Sequence, residues 1–211
     1  AEDLVTELTQ RLGLADGALV CSVDDLERMN QDRLDVDLLI TVGGDGTILR
    51  AVRIAAPHEV SILGINMGRV GFMTELSVEA AAEKIPDYLA GSPRVERRMM
   101  LQVSVILAAL PGQPRRLTAL NDVVVGRRAA GLAEIDLEVD GELLTRYSGD
   151  GLIAATATGS TGYALAAGGS VVHPEARLIL VQPLAPRVSF STGLVVADHS
   201  VLELAVAGEG G

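Results

Sequence analysis

"ITVGGDGTILRA" spans Ile40 to Ala51. An apolar run meets Gly43, Gly44, Asp45 and Gly46, and apolar residues then return at helical spacing. Glycine there costs backbone entropy and contributes no packing, so this turn needs its backbone bare and its carboxylate in place. A strand that feeds glycines and then a helix suits phosphate: bare amides approach anionic oxygens, and the helix start adds partial positive charge. Asp45 cannot bind phosphate directly, because like charges repel. It holds a metal, or it takes a proton from a hydroxyl nucleophile. The plainer alternative is an ordinary strand-to-helix turn in which Asp45 caps the helix. Neither G-x-x-x-x-G-K-[ST] nor G-x-G-x-x-G occurs in the chain.

Outward from this turn, the first half alternates helix and strand. Leu4, Val5, Leu8 and Leu12 share one face of a helix predicted over 3–12. Residues 18–23 read as a short strand, with a helix following from Val23. Residues 37–42 and 60–66 are continuous apolar runs, expected as strands buried on both faces. Residues 47–56 read as a helix stopped by Pro57, and 77–91 as a helix capped by Ser77 and ended by Gly91. This rhythm implies a parallel sheet with helices on its faces.

The rhythm changes near Arg97. Strands are predicted over 99–107, 117–126, 150–156, 177–182 and 200–208, with 109–116 as a loop. Ile135, Leu137 and Val139 alternate with Glu134, Asp136 and Glu138, which describes a half-exposed strand leading into an Asp140-Gly141 hairpin turn. A boundary therefore falls between 92 and 98. Residues 1–95 form an α/β unit and residues 96–211 a β-rich unit.

The bulk numbers narrow the partners. Of 211 residues, 48% are hydrophobic and only 2% aromatic, so the core is aliphatic. A net charge of -11 argues against nucleic acid and against an anionic membrane surface. An anionic ligand must be held by local donors instead. Cys21 is the only cysteine, which fits a reducing, cytoplasmic setting. The acidic N-terminal stretch is unlike a signal peptide, and the longest apolar stretch, Val103–Leu110, is too short to span a bilayer. His58, His173 and His199 are isolated, so no zinc site is expected.

Four stretches in order carry a resemblance: "GGDGT" (43–47), "LGINMGRVGFMTEL" (63–76), "ALNDVVV" (119–125) and "SGDGLIAATATGSTGYALAAGGSVVHP" (148–174). The first resembles the signature shared by NAD kinases, diacylglycerol and sphingosine kinases, and phosphofructokinases. Together the four resemble NAD kinases. The resemblance implies a Rossmann-like parallel-sheet domain followed by a C-terminal β-sandwich that carries most of the NAD site. It implies phosphoryl transfer to the 2′-hydroxyl of the adenosine ribose of NAD, giving NADP. ATP or inorganic polyphosphate is the implied donor, magnesium the implied cation, and a homodimer or homotetramer the implied assembly. A lipid kinase sharing GGDGT and a non-catalytic dinucleotide-binding module are the competing readings.

Residue by residue, the resemblance makes Asp45 the group that takes or orients the proton of the 2′-hydroxyl. It puts Gly43, Gly44, Gly46 and Thr47 at the phosphates. It gives Asn121 the adenine edge and Asp122 a ribose or ring contact, against a plain turn pair. It aims Asp150 at the far part of the dinucleotide, in some members from a neighbouring subunit, against a plain hairpin turn. Thr161, Gly162 and Tyr163, with Gly46, complete the NAD contacts, and Phe72 lines the adenosine pocket or anchors the core. Three positions depart from the pattern: Gly162 stands where Ala is usual, Ala157 where Pro is usual, and Ser148 where Arg or Ala is common. Measured against the family, the chain begins inside the first helix and stops soon after the 200–208 strand.

Overall fold

The structure is a computed structural model. It describes residues 2–11, 13, 20–28, 34–68, 71–91, 93–107, 110–127, 131–187 and 191–206. Contacts within the chain divide it into Ala1–Val95 and Glu96–Gly211.

The first unit runs α1 (Glu2–Arg11), α2 (Val23–Arg28), β1 (Leu38–Gly43), α3 (Asp45–Ala55), β2 (Ser61–Asn66), β3 (Leu76–Ser77) and α4 (Val78–Ala90). The three strands form a parallel sheet in sequence order, with Ile40 opposite Leu63 and Val42 opposite Ile65. Leu63 and Ile65 pack with Leu8 of α1 and with Ala81 and Ile85 of α4. Ser77 caps α4 by accepting from the Ala80 N–H.

Two expectations fail in this unit. Residues 20–22 lie outside any strand, and α2 starts at Val23, while 18 and 19 lie outside the described residues. Ser22 turns the chain: its hydroxyl accepts from the Asp25 N–H and the Ser22 carbonyl from Leu26, so helix-start chemistry overrides a short apolar run. Strand β1 is half-buried, with only Thr41 fully covered. Among the described residues β2 is its one strand neighbour.

The second unit contains β4 (Leu101–Leu107), β5 (Leu110–Ala119), β6 (Asp122–Gly126), β7 (Ala133–Val139), β8 (Glu142–Gly149), β9 (Gly151–Thr156), α5 (Tyr163–Ala166), β10 (Leu178–Leu184), β11 (Leu194–Ala197) and β12 (Leu202–Val206). A 3-10 turn, Thr158–Thr161, lies between β9 and α5. The central sheet runs β11-β10-β9-β6, and β12-β7-β8 and β4-β5 form two further sheets. Leu152 of β9 and Val181 of β10 pack against Ile135, Leu137 and Tyr147 of the β12-β7-β8 layer. On the same side Ala154 and Ile179 meet Leu101 of β4. Ile153 and Ala155, on the opposite face, meet Ala164 of α5. This is the sandwich expected for the C-terminal half.

Here the strand predictions need two corrections. The predicted loop over 109–116 is strand from Leu110 onward, pairing antiparallel with β4; residue 109 lies outside the described residues. Pro111 and Pro114 lack an N–H, but β5 has β4 as its one neighbour among the described residues, and the register shifts between Val105 and Leu107. The strand predicted over 117–126 breaks at Leu120 and Asn121, and β11 was not foreseen. At the β7–β8 hairpin Asp140 and Gly141 have φ of 53° and 84°, which the primed turn requires.

Because Leu152 is wholly buried between two layers, Leu152→Ala is expected to cost about 2–5 kcal/mol. The shift of the urea midpoint measures it.

Candidate nucleotide site

In the first unit, Gly44 is the N-cap of α3, extended at φ −100°, and Asp45 begins the helix. Asp45 therefore does not cap α3. Its Oδ2 accepts from the Phe72 N–H at 2.9 Å and its Oδ1 from the Met73 N–H at 3.1 Å. A Cβ on Gly71 would stand 2.2 Å from Oδ1, so only glycine lets this loop close onto the carboxylate. Two of the roughly four acceptor positions of a carboxylate are used, and the others can take a hydroxyl proton. The glycines divide by role. Gly43 has no room for a Cβ because Thr47 Oγ1 would lie 2.2 Å away, whereas at Gly44 and Gly46 a Cβ would meet nothing within 4 Å. The open backbone is thus at Gly44 and Gly46, and Thr47 leans back on Gly43. Phe72 is 63% exposed, which removes the core-anchor reading of its ring.

In the second unit, Leu120 and Asn121 turn the chain between β5 and β6. Asn121 Oδ1 is buried without a hydrogen-bond partner. A buried, unpaired acceptor is costly and marks a place where a donor would bind. The Asp122 carboxyl is held above the usual carboxylate range, first by burial, with the Tyr163 N–H it accepts from pulling the other way. A Cβ on Gly162 would lie 3.2 Å from the Gly159 carbonyl, 3.4 Å from Asp122 Oδ2 and 3.5 Å from Asn121 Nδ2. Asn121, Asp122, Gly162 and Tyr163 are therefore neighbours, with Tyr163 half-exposed. Thr161 lies on the same turn, its hydroxyl donating to the Thr158 carbonyl at 3.1 Å.

Asp150 is not brought to this group within the chain. Asp122 pairs with Ala155 and Gly126 with Gly151, so Asp150 lies at the opposite end of β9, about 17 Å along the strand. There it pairs with Arg127 at 3.1 Å.

Several hydroxyls around this turn point inward. Thr156, Thr158 and Ser160 are buried. Ser160 Oγ donates to the Ala157 carbonyl at 2.7 Å and accepts from the Val172 N–H at 3.0 Å. Arg98 pairs with Glu96 at 2.7 Å and reaches Thr158 Oγ1 at 3.4 Å. Sequence reading missed Thr156 and Arg98. The hydroxyl-rich run held the signal for Thr156, but not the direction in which each side chain points. His173 accepts from the Glu175 N–H and His199 stands beside Asp198. Among the described residues no three His, Cys, Asp or Glu are grouped to hold a metal, and no helix is long and apolar enough to cross a membrane.

The ATP-NAD kinase N-terminal domain matches residues 21–92, and the ATP-NAD kinase C-terminal domain matches 120–211. The chain is 40% identical over 178 residues to the NAD kinase of Heliobacterium modesticaldum, covering 83% of this chain and 62% of that protein. It is 35% identical over 211 residues to the NAD kinase of Trichlorobacter lovleyi, covering 98% and 73%. The solved NAD kinase from Archaeoglobus fulgidus in complex with ATP is 30% identical, with a TM-score of 0.67, covering 99% of this chain and 80% of that one. The chain belongs to the NAD kinase family. These matches do not favour the lipid kinase alternative.

Burial raises the Asp122 carboxyl, so the folded state holds its proton to higher pH than the unfolded chain. Its contribution to stability is full below the ordinary aspartate value of 3.8 and is lost as pH rises through the raised value. Asp122→Asn, which keeps an acceptor for the Tyr163 N–H, is expected to melt above wild type at pH 7. Thermal melts across pH check this, with the gap closing as pH falls below 3.8.

Proposed function

We propose that the protein is an NAD kinase, transferring the γ-phosphoryl group of ATP to the 2′-hydroxyl of the adenosine ribose of NAD and releasing ADP and NADP. The observation that carries this reading is the Asp45 carboxylate, fixed by two backbone amides at the head of a helix whose Gly44 and Gly46 face open space. Family membership supports it.

In this reading Asp45 accepts the 2′-hydroxyl proton as the new O–P bond forms and the bond to ADP breaks. Gly43, Gly44, Gly46 and Thr47 serve the phosphates, with the amides of Gly44 and Gly46 as the donors. The Asn121 amide reads the adenine edge, where a base amino group would satisfy its unpaired Oδ1. Asp122, Thr161, Gly162 and Tyr163 complete the nucleoside contacts, and the exposed Phe72 ring lines the adenosine pocket. Asp150 serves the far part of the dinucleotide, and its distance along β9 from Asn121 favours a neighbouring subunit as the recipient. Positioning and charge supply most of the rate.

Side chains of the described residues provide no metal cage. Magnesium is commonly bound through substrate phosphates and one or two carboxylates, so it would arrive with ATP. A homodimer or homotetramer fits the open edges of β6 and β11, each with one partner strand among the described residues. A single cysteine, Cys21, fits a cytoplasmic location.

The test is NADP formation by the purified full-length protein from NAD with ATP or polyphosphate. Asp45→Asn is expected to lower kcat by about 10²-fold while NAD affinity is kept. Near wild-type kcat in that variant rejects Asp45 as the base. NAD binding with no NADP formed by wild type identifies a binding module instead.

A further inference from the structure

We infer that Thr156 is a positioning residue for NAD, acting through Asn121 and the Thr158–Thr161 turn without touching substrate. The inference rests on the NAD kinase reading and extends it to a residue outside the expected contact set.

Thr156 is the last residue of β9 and is fully buried. It makes three hydrogen bonds to two separate segments. Its N–H donates to the Asn121 carbonyl at 2.8 Å, and its Oγ1 donates to the Leu120 carbonyl at 2.5 Å. The same Oγ1 accepts from the Gly159 N–H at 3.0 Å. One hydroxyl therefore joins the turn that carries Asn121 to the turn that leads to Thr161, Gly162 and Tyr163.

The two turns are also in direct contact. A Cβ on Gly159 would stand 2.0 Å from the Asn121 carbonyl oxygen, so no water fits between them at that point. A small slide of one turn must move the Asn121 amide relative to Gly162, and with it the carboxylate of Asp122 that accepts from Tyr163. Valine has the shape of threonine without the hydroxyl. At position 156 it would leave a buried carbonyl and a buried N–H unpaired while keeping the packing. Serine would keep both bonds and lose only a methyl group.

The experiment compares wild type, Thr156→Val and Thr156→Ser by NAD calorimetry and by steady-state kinetics in NAD and ATP. Thr156→Val is expected to weaken NAD binding and raise the NAD KM by about tenfold or more. The ATP KM should stay within about twofold, and Thr156→Ser should restore the NAD values. A role in stability alone would lower the melting temperature and leave NAD affinity unchanged, or shift both KM values together; either result overturns the inference. Serine behaving like valine also overturns it. If the valine variant does not fold, Thr156→Cys, with its weaker donor and acceptor, should give an intermediate loss of NAD affinity, and wild-type affinity there overturns the inference. Calorimetry needs no turnover, so a wild type that binds NAD but forms no NADP defeats the kinase reading and leaves this comparison decisive.

Discussion

Strand β9 is buried at every position from Gly151 to Thr156, and that constraint governs where chemistry can sit in the second unit. A strand covered on both faces has no surface for a group that meets solvent, so such groups are displaced to its ends. At one end lies Asp150, tied to Arg127. At the other lies Thr156, from which the Asn121 turn and the Thr158–Thr161 turn are hung. The first unit obeys a related rule. Its parallel strands β1 and β2 run together, and beyond the carboxyl end of β1 come Gly44 and Asp45, where open α/β sheets place their ligands.

Local chemistry made much of this legible in the sequence. The apolar run into Gly43-Gly44-Asp45-Gly46 announced strand, turn and helix, and the alternation from Glu134 to Val139 with Asp140-Gly141 announced a hairpin. What stayed hidden depends on partners distant in sequence. The amides that hold Asp45 belong to residues 27 and 28 positions away. The break at Leu120 and Asn121 interrupts an apolar run that reads as one strand, because Thr156 takes both carbonyls out of the ladder. The two prolines of β5 favour a loop, but a strand with one neighbour among the described residues tolerates them. Hydroxyl content located the Thr158–Thr161 turn, but which hydroxyls face inward is a matter of packing.

The acidic charge of the chain also shapes how it could hold an anion. Arg50 lies between Asp24 and Glu27, Arg146 pairs with Asp136, Arg177 with Asp198, Arg127 with Asp150 and Arg98 with Glu96. Each of these guanidiniums already has a carboxylate beside it, so recruiting it to a phosphate means breaking a pair. Backbone amides at the head of α3 carry no such competitor: Gly44 and Gly46 offer space, and the first N–H groups of a helix lack partners inside it. Fixed dipoles suit the binding of an anion by a protein whose overall field repels it.

The departures from the family pattern fit the same account of the second unit. Ala157 has φ of −56°, the angle a proline would impose, so the turn keeps its path without the ring. The turn is also held by side-chain bonds. Ser160 bridges Ala157 and Val172, Thr161 reaches Thr158, and Thr156 grips Gly159. Gly162 has φ of −91° and ψ of −130°, and an alanine methyl there would meet the Gly159 carbonyl at 3.2 Å. The turn must give by a few tenths of an ångström to admit it, and the bonds that resist that movement converge on Thr156 and Gly159. Glycine at 162 and a hydroxyl-locked turn at 156–161 are therefore compatible choices: the first removes a contact that the second would hold under strain.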